Sequence, residues 1–296
     1  MQRQFNTQIL EQHPHLCYER LGEGPCIVLI MGIGAQLVHW PDEFCKHFVE
    51  AGFSVLRFDN RDMGQSKRWT KGGLPNIKGM IPKRLLGMNI QAKYKLEDMA
   101  DDVIGLMNAL DIETAGIVGI SMGSMIAQIV AAQYPHRCRH LTLIMSNSGE
   151  RRTLIPTPKA LMALVDVQHS PDRETAQDNI VRLFSVIGSP AYPLDEDRLR
   201  RLGGLAFDRG KTPDGFARQF AAVLSTGSRS HYIQKIKCPT LLIHGKDDPL
   251  IPLTAGKRIK ALLPSAEHWW VEGMGHDLPQ LLWPEFAKRI MALEPT

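Results

Sequence analysis

Residues 115–130 read AGIVGISMGSMIAQIV, and the fold is decided in that stretch. An unbroken aliphatic run, Ala115–Gly119, leads into Gly119-Ile120-Ser121-Met122-Gly123, and residues of helical period follow from Met122 to Tyr134. A serine with glycines two before and two after suits a sharp strand-to-helix turn, because side chains at those positions would collide across it. The turn lifts the hydroxyl above the sheet edge. The helix it opens has unpaired N–H groups in its first turn, so the amide of Met122 is available to a negatively charged oxygen. With 25 glycines in 296 residues, chance supplies only ~0.1 serines flanked in this way, and the strand–turn–helix setting makes the match more specific still.

Working outward, five further runs have strand length: Cys26–Met31, Ser54–Phe58, Leu141–Met145, Thr240–His244 and Glu267–Val271. They are near-continuous rather than alternating, as parallel strands covered on both faces should be. Two weaker stretches, Thr7–Leu10 and Leu16–Leu21, suit a hairpin across Gln12–Pro14. Helix-period segments lie between the strands. Leu96–Leu110 places Met99, Val103, Leu106, Met107 and Leu110 on one stripe, with Glu97, Asp98, Asp101 and Asp102 at its positive end; Pro279–Ala292 has the same character. The expected fold is α/β: a doubly wound, mostly parallel eight-stranded sheet with right-handed crossovers. Alternation stops between Gly149 and about Lys237, where helix-like stretches (Lys159–Val167, Asp178–Val186, Asp195–Leu202) are separated by Ser170-Pro171, Ser189-Pro190 and Gly203-Gly204. We therefore expect a core of residues 1–148 and 236–296, with 149–235 forming a helical lid inserted after the sixth strand.

A serine hydroxyl needs a base to take its proton, and the base needs a carboxylate to orient it. His276 stands in Gly273-Met274-Gly275-His276, just after the last strand, where the glycines are expected to leave room for the ring. The acid candidates are in His244-Gly245-Lys246-Asp247-Asp248-Pro249. Asp248 is preferred because a proline fixes the turn directly after it; Asp247 is expected to cap that turn, and His244 to be a core histidine. A metal held by His244, Asp247 and Asp248 lacks a completing ligand at suitable spacing. The order Ser121…Asp248…His276 sets each group at the carboxyl end of a parallel strand, where such sheets bind ligands. A second amide donor is expected from Gly32-Ile33-Gly34-Ala35-Gln36, with Ile33 preferred and Gly32 next.

Composition excludes several classes. The chain is 44% hydrophobic and 22% charged, ordinary values for a globular protein rather than a disordered one. No apolar run approaches the ~18 residues of a membrane span, and the polar N-terminal stretch carries no signal-like apolar region. Five scattered cysteines, an odd number with no CxxC pair, fit reduced thiols. A net charge of +4 does not argue for nucleic acid. The expectations are a cytoplasmic protein with no cofactor, no metal, no nucleic-acid partner and no integral membrane association. Between Lys67 and Leu96 there are eight basic residues and no acidic one. This is a solvated basic loop beside the lid that helps wall the pocket or, with Ile77, Met80, Ile81, Leu85, Leu86 and Met88, an amphipathic element making transient contact with a lipid interface.

These motifs are similar to those of the α/β-hydrolase fold superfamily along nearly the whole chain, and look most like the lid-bearing serine esterases of the aclacinomycin methylesterase type. The resemblance rests on Leu29-Ile30-Met31-Gly32, Trp40-Pro41-Asp42-Glu43-Phe44, Phe58 to Ser66, the serine motif and Gly273 to His276. It implies Ser121 as nucleophile, Asp248 as acid, His276 as base, the amides of Ile33 and Met122 as oxyanion hole, and a structural turn built on Asp59, Arg61, Gly64 and Ser66. Serine at the nucleophile position separates the chain from the similar haloalkane dehalogenases and epoxide hydrolases, which use aspartate. Met31-Gly32 stands where the family usually has His-Gly, and the basic stretch is longer than in many relatives. The expected activity is hydrolysis of a small-molecule carboxylic ester through an acyl-enzyme. The alternatives are a catalytically silent ligand-binding homologue, or a lactonase, C–C bond hydrolase or perhydrolase on the same scaffold.

Overall fold

Eight strands form one sheet: β1 (Gln8–Ile9), β2 (Cys17–Leu21), β3 (Cys26–Ile30), β4 (Ser54–Phe58), β5 (Ala115–Ile120), β6 (Cys138–Ile144), β7 (Thr240–Gly245) and β8 (Glu267–Val271). Their spatial order is β1-β2-β4-β3-β5-β6-β7-β8. From β4 to the β8 edge every pairing is parallel, while β1 and β2 pair antiparallel. The computed structural model describes residues 7–12, 14–70, 74–150, 156–166, 170–210 and 212–295. His13, in the expected hairpin turn, lies outside them.

Burial explains the unbroken apolar runs. Every residue of β3, β4 and β5 is buried, and the two-residue period of a strand sends successive side chains to opposite faces. Ile27 and Leu29 pack into one cluster with Phe44 and Phe48 of α1 (Asp42–Glu50) and with Phe286 and Ile290 near the C-terminus. Val28 and Ile30 pack into the other, with residues such as Met99 and Val103 of the helix from Leu96 and Met125 and Ile126 of the helix from Met122. Arg57 breaks the apolar pattern of β4 yet is wholly buried, because it is paired to Glu19 of β2 (Nε–Oε2 2.8 Å) and Asp42 of α1 (2.5 Å).

After β4 come α2 (Ile77–Leu85) and α3 (Leu96–Ala109); α4 (Met122–Gln133) follows β5. Between β6 and β7 lie α5 (Pro158–Asp166), α6 (Arg173–Ile187), α7 (Glu196–Arg209), α8 (Pro213–Thr226) and the short α9 (Ser230–Ile233). The chain closes with α10 (Leu253–Leu262) between β7 and β8, and α11 (Trp283–Met291) after them. Asp172 and Asp195 start α6 and α7 by accepting the amides of Thr175 (2.8 Å) and Arg198 (2.9 Å). Among the described residues no helix is long and apolar enough to cross a membrane.

Several boundaries differ from expectation. α6 already begins at Arg173, and α7 runs on to Arg209, so Gly203-Gly204, expected as a turn, lies inside a helix; a Cβ on Gly203 would lie 2.7 Å from the Ala176 carbonyl oxygen, so the glycine lets α7 approach α6 closely. β6 begins at Cys138 rather than Leu141, because Arg139 and His140 belong to the strand and find partners in Glu294. The expected helix Pro279–Ala292 is divided: Gln280–Leu282 is a 3₁₀ turn and α11 starts only at Trp283. Pro284 in its first turn accounts for that start, since its ring would clash with the preceding turn of a continuous α-helix. Helix α8 was not singled out by sequence at all.

Candidate active site

The parallel register sets the carboxyl ends of the strands at one edge of the sheet, with Ile30 opposite Gly119, Ile120 opposite Ile144 and Gly245 opposite Val271. The turns after β3, β5, β7 and β8 therefore converge. Ser121 sits at φ 54°, ψ −121°, a region that costs a non-glycine residue about 1–3 kcal/mol. Two close approaches hold it there. A Cβ on Gly119 would lie 2.6 Å from the Cα of Ser124, and one on Gly123 would lie 2.7 Å from the carbonyl oxygen of Met31. The Ser121 amide donates to the Ile144 carbonyl (2.9 Å), tying the turn to the end of β6.

Sequence reasoning named three side chains, and the structure brings them together. His276 Nε2 lies 3.1 Å from Ser121 Oγ, and its Nδ1 lies 2.7 Å from Asp248 Oδ2. The other oxygen of Asp248 accepts the amides of Leu250 and Ile251, both at 2.8 Å, so the carboxylate is held at both oxygens. His244 reaches to within 3.8 Å of Asp248. Burial lowers its pKa, and it spends Nε2 on the Ile251 carbonyl (2.8 Å), so it does not compete for the carboxylate. Asp247 serves the neighbouring turn instead: its Oδ2 accepts the Gly273 amide (3.0 Å) and its own amide donates to Met274 (3.0 Å), bracing the loop that carries His276. The glycines of that loop do not make room for ring movement, contrary to expectation. A Cβ on Gly275 would lie 2.5 Å from the Ile187 carbonyl oxygen, and His276 is anchored by its amide to that same carbonyl (2.6 Å).

Neither the Ile33 nor the Met122 amide has an acceptor among the described residues. Met122 opens α4, where the first N–H groups of a helix are unpaired by construction. The loop carrying Ile33 is pinned from three sides: Asn60 Nδ2 donates to Met31 O (2.9 Å), Gln219 Oε1 accepts the Gly34 amide (3.0 Å), and Leu37 N donates to Asp59 (2.7 Å). Gln219, a wholly buried residue of α8, also donates to Arg61 O (2.9 Å), so one side chain links two core loops. The sequence offered no signal for it.

The turn built on Asp59, Arg61 and Ser66 is spent on structure. Asp59 pairs with Arg209 of α7 (2.7 Å), Asp62 with Arg218 of α8 (2.8 Å) and Arg61 with Asp102 of α3 (2.5 Å), while Ser66 donates to the Asp59 carbonyl (2.6 Å). Burial raises the pKa of Asp59, against the pull of Arg209.

A cavity of about 240 Å³ opens over Ser121 and His276. Its floor includes Ile33 and Gly34, and its roof is apolar, with Leu183 and Ile187 of α6 and Leu202 of α7. Ionisable residues that sequence did not single out as site residues also line it, among them His39, Arg198 of α7 and Asp277. Burial raises the Asp277 pKa, and its carboxylate accepts the Ser189 hydroxyl. No described residue between Lys67 and Lys95 lines the cavity, so that segment does not wall the pocket. Helix α2 packs against α8 and Arg84 donates to Gly149 O (2.7 Å), beside the inserted helices as expected. Lys71 and the side chains of Lys78, Ile81 and Leu85 lie outside what is described.

The family model for the alpha/beta hydrolase fold matches residues 25–279. The chain belongs to the α/β-hydrolase family. Its relatives are hydrolases. Rhodomycin D methylesterase of Streptomyces peucetius is 25% identical over 285 residues, covering 90% of this chain and 89% of the relative. A 2-hydroxy-6-oxononadienedioate/2-hydroxy-6-oxononatrienedioate hydrolase of Paraburkholderia xenovorans is 31% identical over 269 residues, covering 88% and 84%. Among solved structures, a putative lipase of Acinetobacter baumannii superimposes with a TM-score of 0.74 at 18% identity, covering 98% of this chain and 92% of that one. At that identity the likeness speaks for the fold alone. The resemblance to methylesterase-type α/β-hydrolases read from the motifs agrees with these matches.

Proposed function

We propose that the chain is a serine hydrolase that cleaves small-molecule carboxylic esters. The observation that carries this reading is the unbroken relay from Asp248 Oδ2 through His276 to Ser121 Oγ, at 2.7 and 3.1 Å, beneath a cavity lined by Ile33, whose amide, like that of Met122, has no acceptor among the described residues. In the proposed reaction Ser121 Oγ attacks the ester carbonyl as His276 Nε2 takes its proton. Asp248 holds the Nδ1–H tautomer and stabilises the imidazolium. The amides of Ile33 and Met122 bind the oxyanion, each contributing about 3 kcal/mol to the transition state. His276 then protonates the departing alcohol, and water activated by the same ring releases the acid from Ser121. The helices between β6 and β7 act as the lid, their apolar side chains excluding water from the acyl group. Five free thiols support a reducing compartment such as the cytoplasm.

Hydrolysis of a p-nitrophenyl ester series tests the proposal. Turnover is expected, with Ser121→Ala lowering kcat on the order of 10⁶-fold. Near-normal activity in that variant refutes it. The C–C bond hydrolases among the relatives favour a second reading, in which the same relay cleaves a vinylogous ketone; turnover of such a ketone with none of any ester selects it.

A further inference from the structure

The cavity is lined by a cation that forms no ion pair among the described residues. Arg198 lines the space above Ser121 and His276. Its guanidinium lies over the ring of Trp283, 5.5 Å from the centroid. Its Nε is buried with no hydrogen-bond partner, and among the described residues no carboxylate lies within ion-pair distance of it. Two of the three acids around it are engaged elsewhere. Asp195 accepts the Arg198 backbone amide as the cap of α7, and Asp277 accepts Ser189. Burial outweighs the support of Asp195, Asp277 and Glu43 and lowers the Arg198 pKa. His39, also in the lining, adds no charge at neutral pH, because burial drops its pKa to about 4. The arginines that pair with or belong to the turn after β4 each have a carboxylate partner, Arg61 in Asp102, Arg209 in Asp59 and Arg218 in Asp62. A guanidinium offers five donors in a rigid fork, and none of those of Arg198 has a hydrogen-bond partner among the described residues, which leaves its terminal nitrogens available to a ligand.

We propose that Arg198 is the carboxylate-recognition residue of this site, and that the substrate is an ester carrying a second, ionised carboxylate held by this guanidinium while Ser121 attacks the ester carbonyl. The inference rests on the esterase reading and adds the substrate class to it. The apolar residues between the two ends, Leu183, Ile187 and Leu202, suit the methylene chain of a dicarboxylic acid half-ester.

The test compares monomethyl adipate with methyl hexanoate, which has the same acyl length and no charge. The ratio of their kcat/KM values is expected to fall about 10- to 100-fold in Arg198→Gln, through KM rather than kcat, with Arg198→Lys recovering part of it. An unchanged ratio, or equal loss on both esters, overturns the proposal. A second arm needs no turnover. Binding of monomethyl adipate to Ser121→Ala is followed by calorimetry, with and without Arg198→Gln, or with Arg198→Lys if the glutamine variant does not fold. Weakening by at least about tenfold with Gln, or clear weakening with Lys, supports the anion site, and equal affinity contradicts it. Cleavage of neither ester by the unsubstituted protein counts against the esterase reading, and the binding arm then decides on Arg198 alone.

Discussion

Two polar clusters stand side by side at the carboxyl end of the same sheet. One follows β4: Asp59, Arg61, Asp62 and Ser66, all buried, with Arg209, Asp102 and Arg218 as ion-pair partners. The other follows β5, β7 and β8: Ser121, Asp248 and His276. By charge alone the first is the richer, and a search for clustered ionisable residues would choose it. The difference lies in what is left over. In the first cluster the hydrogen-bonding capacity is consumed by α3, α7 and α8, whereas in the second Ser121, Ile33 and Arg198 line a cavity with an apolar roof. Saturated polar groups hold a fold together, and unsaturated ones next to a cavity act on a ligand.

The sharpest way to break this comparison is to disturb the relay without changing its shape. Asp248→Asn should lower kcat about 10⁴-fold, because the amide disfavours the Nδ1–H tautomer of His276. Asp247→Asn should cost far less, since Asp247 braces Gly273 rather than the ring. A larger loss from Asp247→Asn in steady-state assays would reassign the acid.

The saturated cluster should answer in stability instead. Asp62→Ala leaves Arg218 buried without its carboxylate and removes the acceptor of the Tyr94 hydroxyl (2.7 Å). About 3–5 kcal/mol of folding stability should be lost in denaturant titration, whereas Ser121→Ala should lose almost none. A neutral Asp62→Ala would mean that the pairs are not what joins α8 to the core.

The smallest effect concerns His39, whose folded pKa lies near 4 against 6.5 for the exposed side chain. Between those values the unfolded chain binds the proton and the folded one does not. The contribution of neutral His39 is therefore complete above pH 6.5 and is lost as pH falls towards 4. His39→Gln should flatten the stability profile over that window, and an unaltered slope contradicts the assignment.

The parts of the fold that were legible in sequence were those where one kind of energy dominates. The runs at β3, β4, β5 and β7 are buried on both faces, so apolar composition marks them, whereas β8 is an edge strand on which only Val271 is fully buried. The start of β6 was hidden because Arg139 and His140 are strand residues stabilised by a distant acid, Glu294. Helix α8 escaped because its buried face carries Arg218 and Gln219, which interrupt the apolar stripe and find their partners in loops more than 150 positions away. Ser121, Asp248 and His276 were readable because turn chemistry and strand order constrain them locally. Arg198 was not, since nothing in the run Arg198, Arg200, Arg201 says which arginine faces the cavity.

The central claim is that the Ser121 hydroxyl is activated by its surroundings, and covalent labelling measures this most directly. The protein is incubated with a fluorophosphonate and analysed by intact-mass and peptide mass spectrometry. The account predicts one phosphonyl group per chain, carried by Ser121, with labelling abolished in Ser121→Ala and slowed in His276→Asn. An unlabelled protein, or an adduct on another serine such as Ser124 or Ser146, would contradict it.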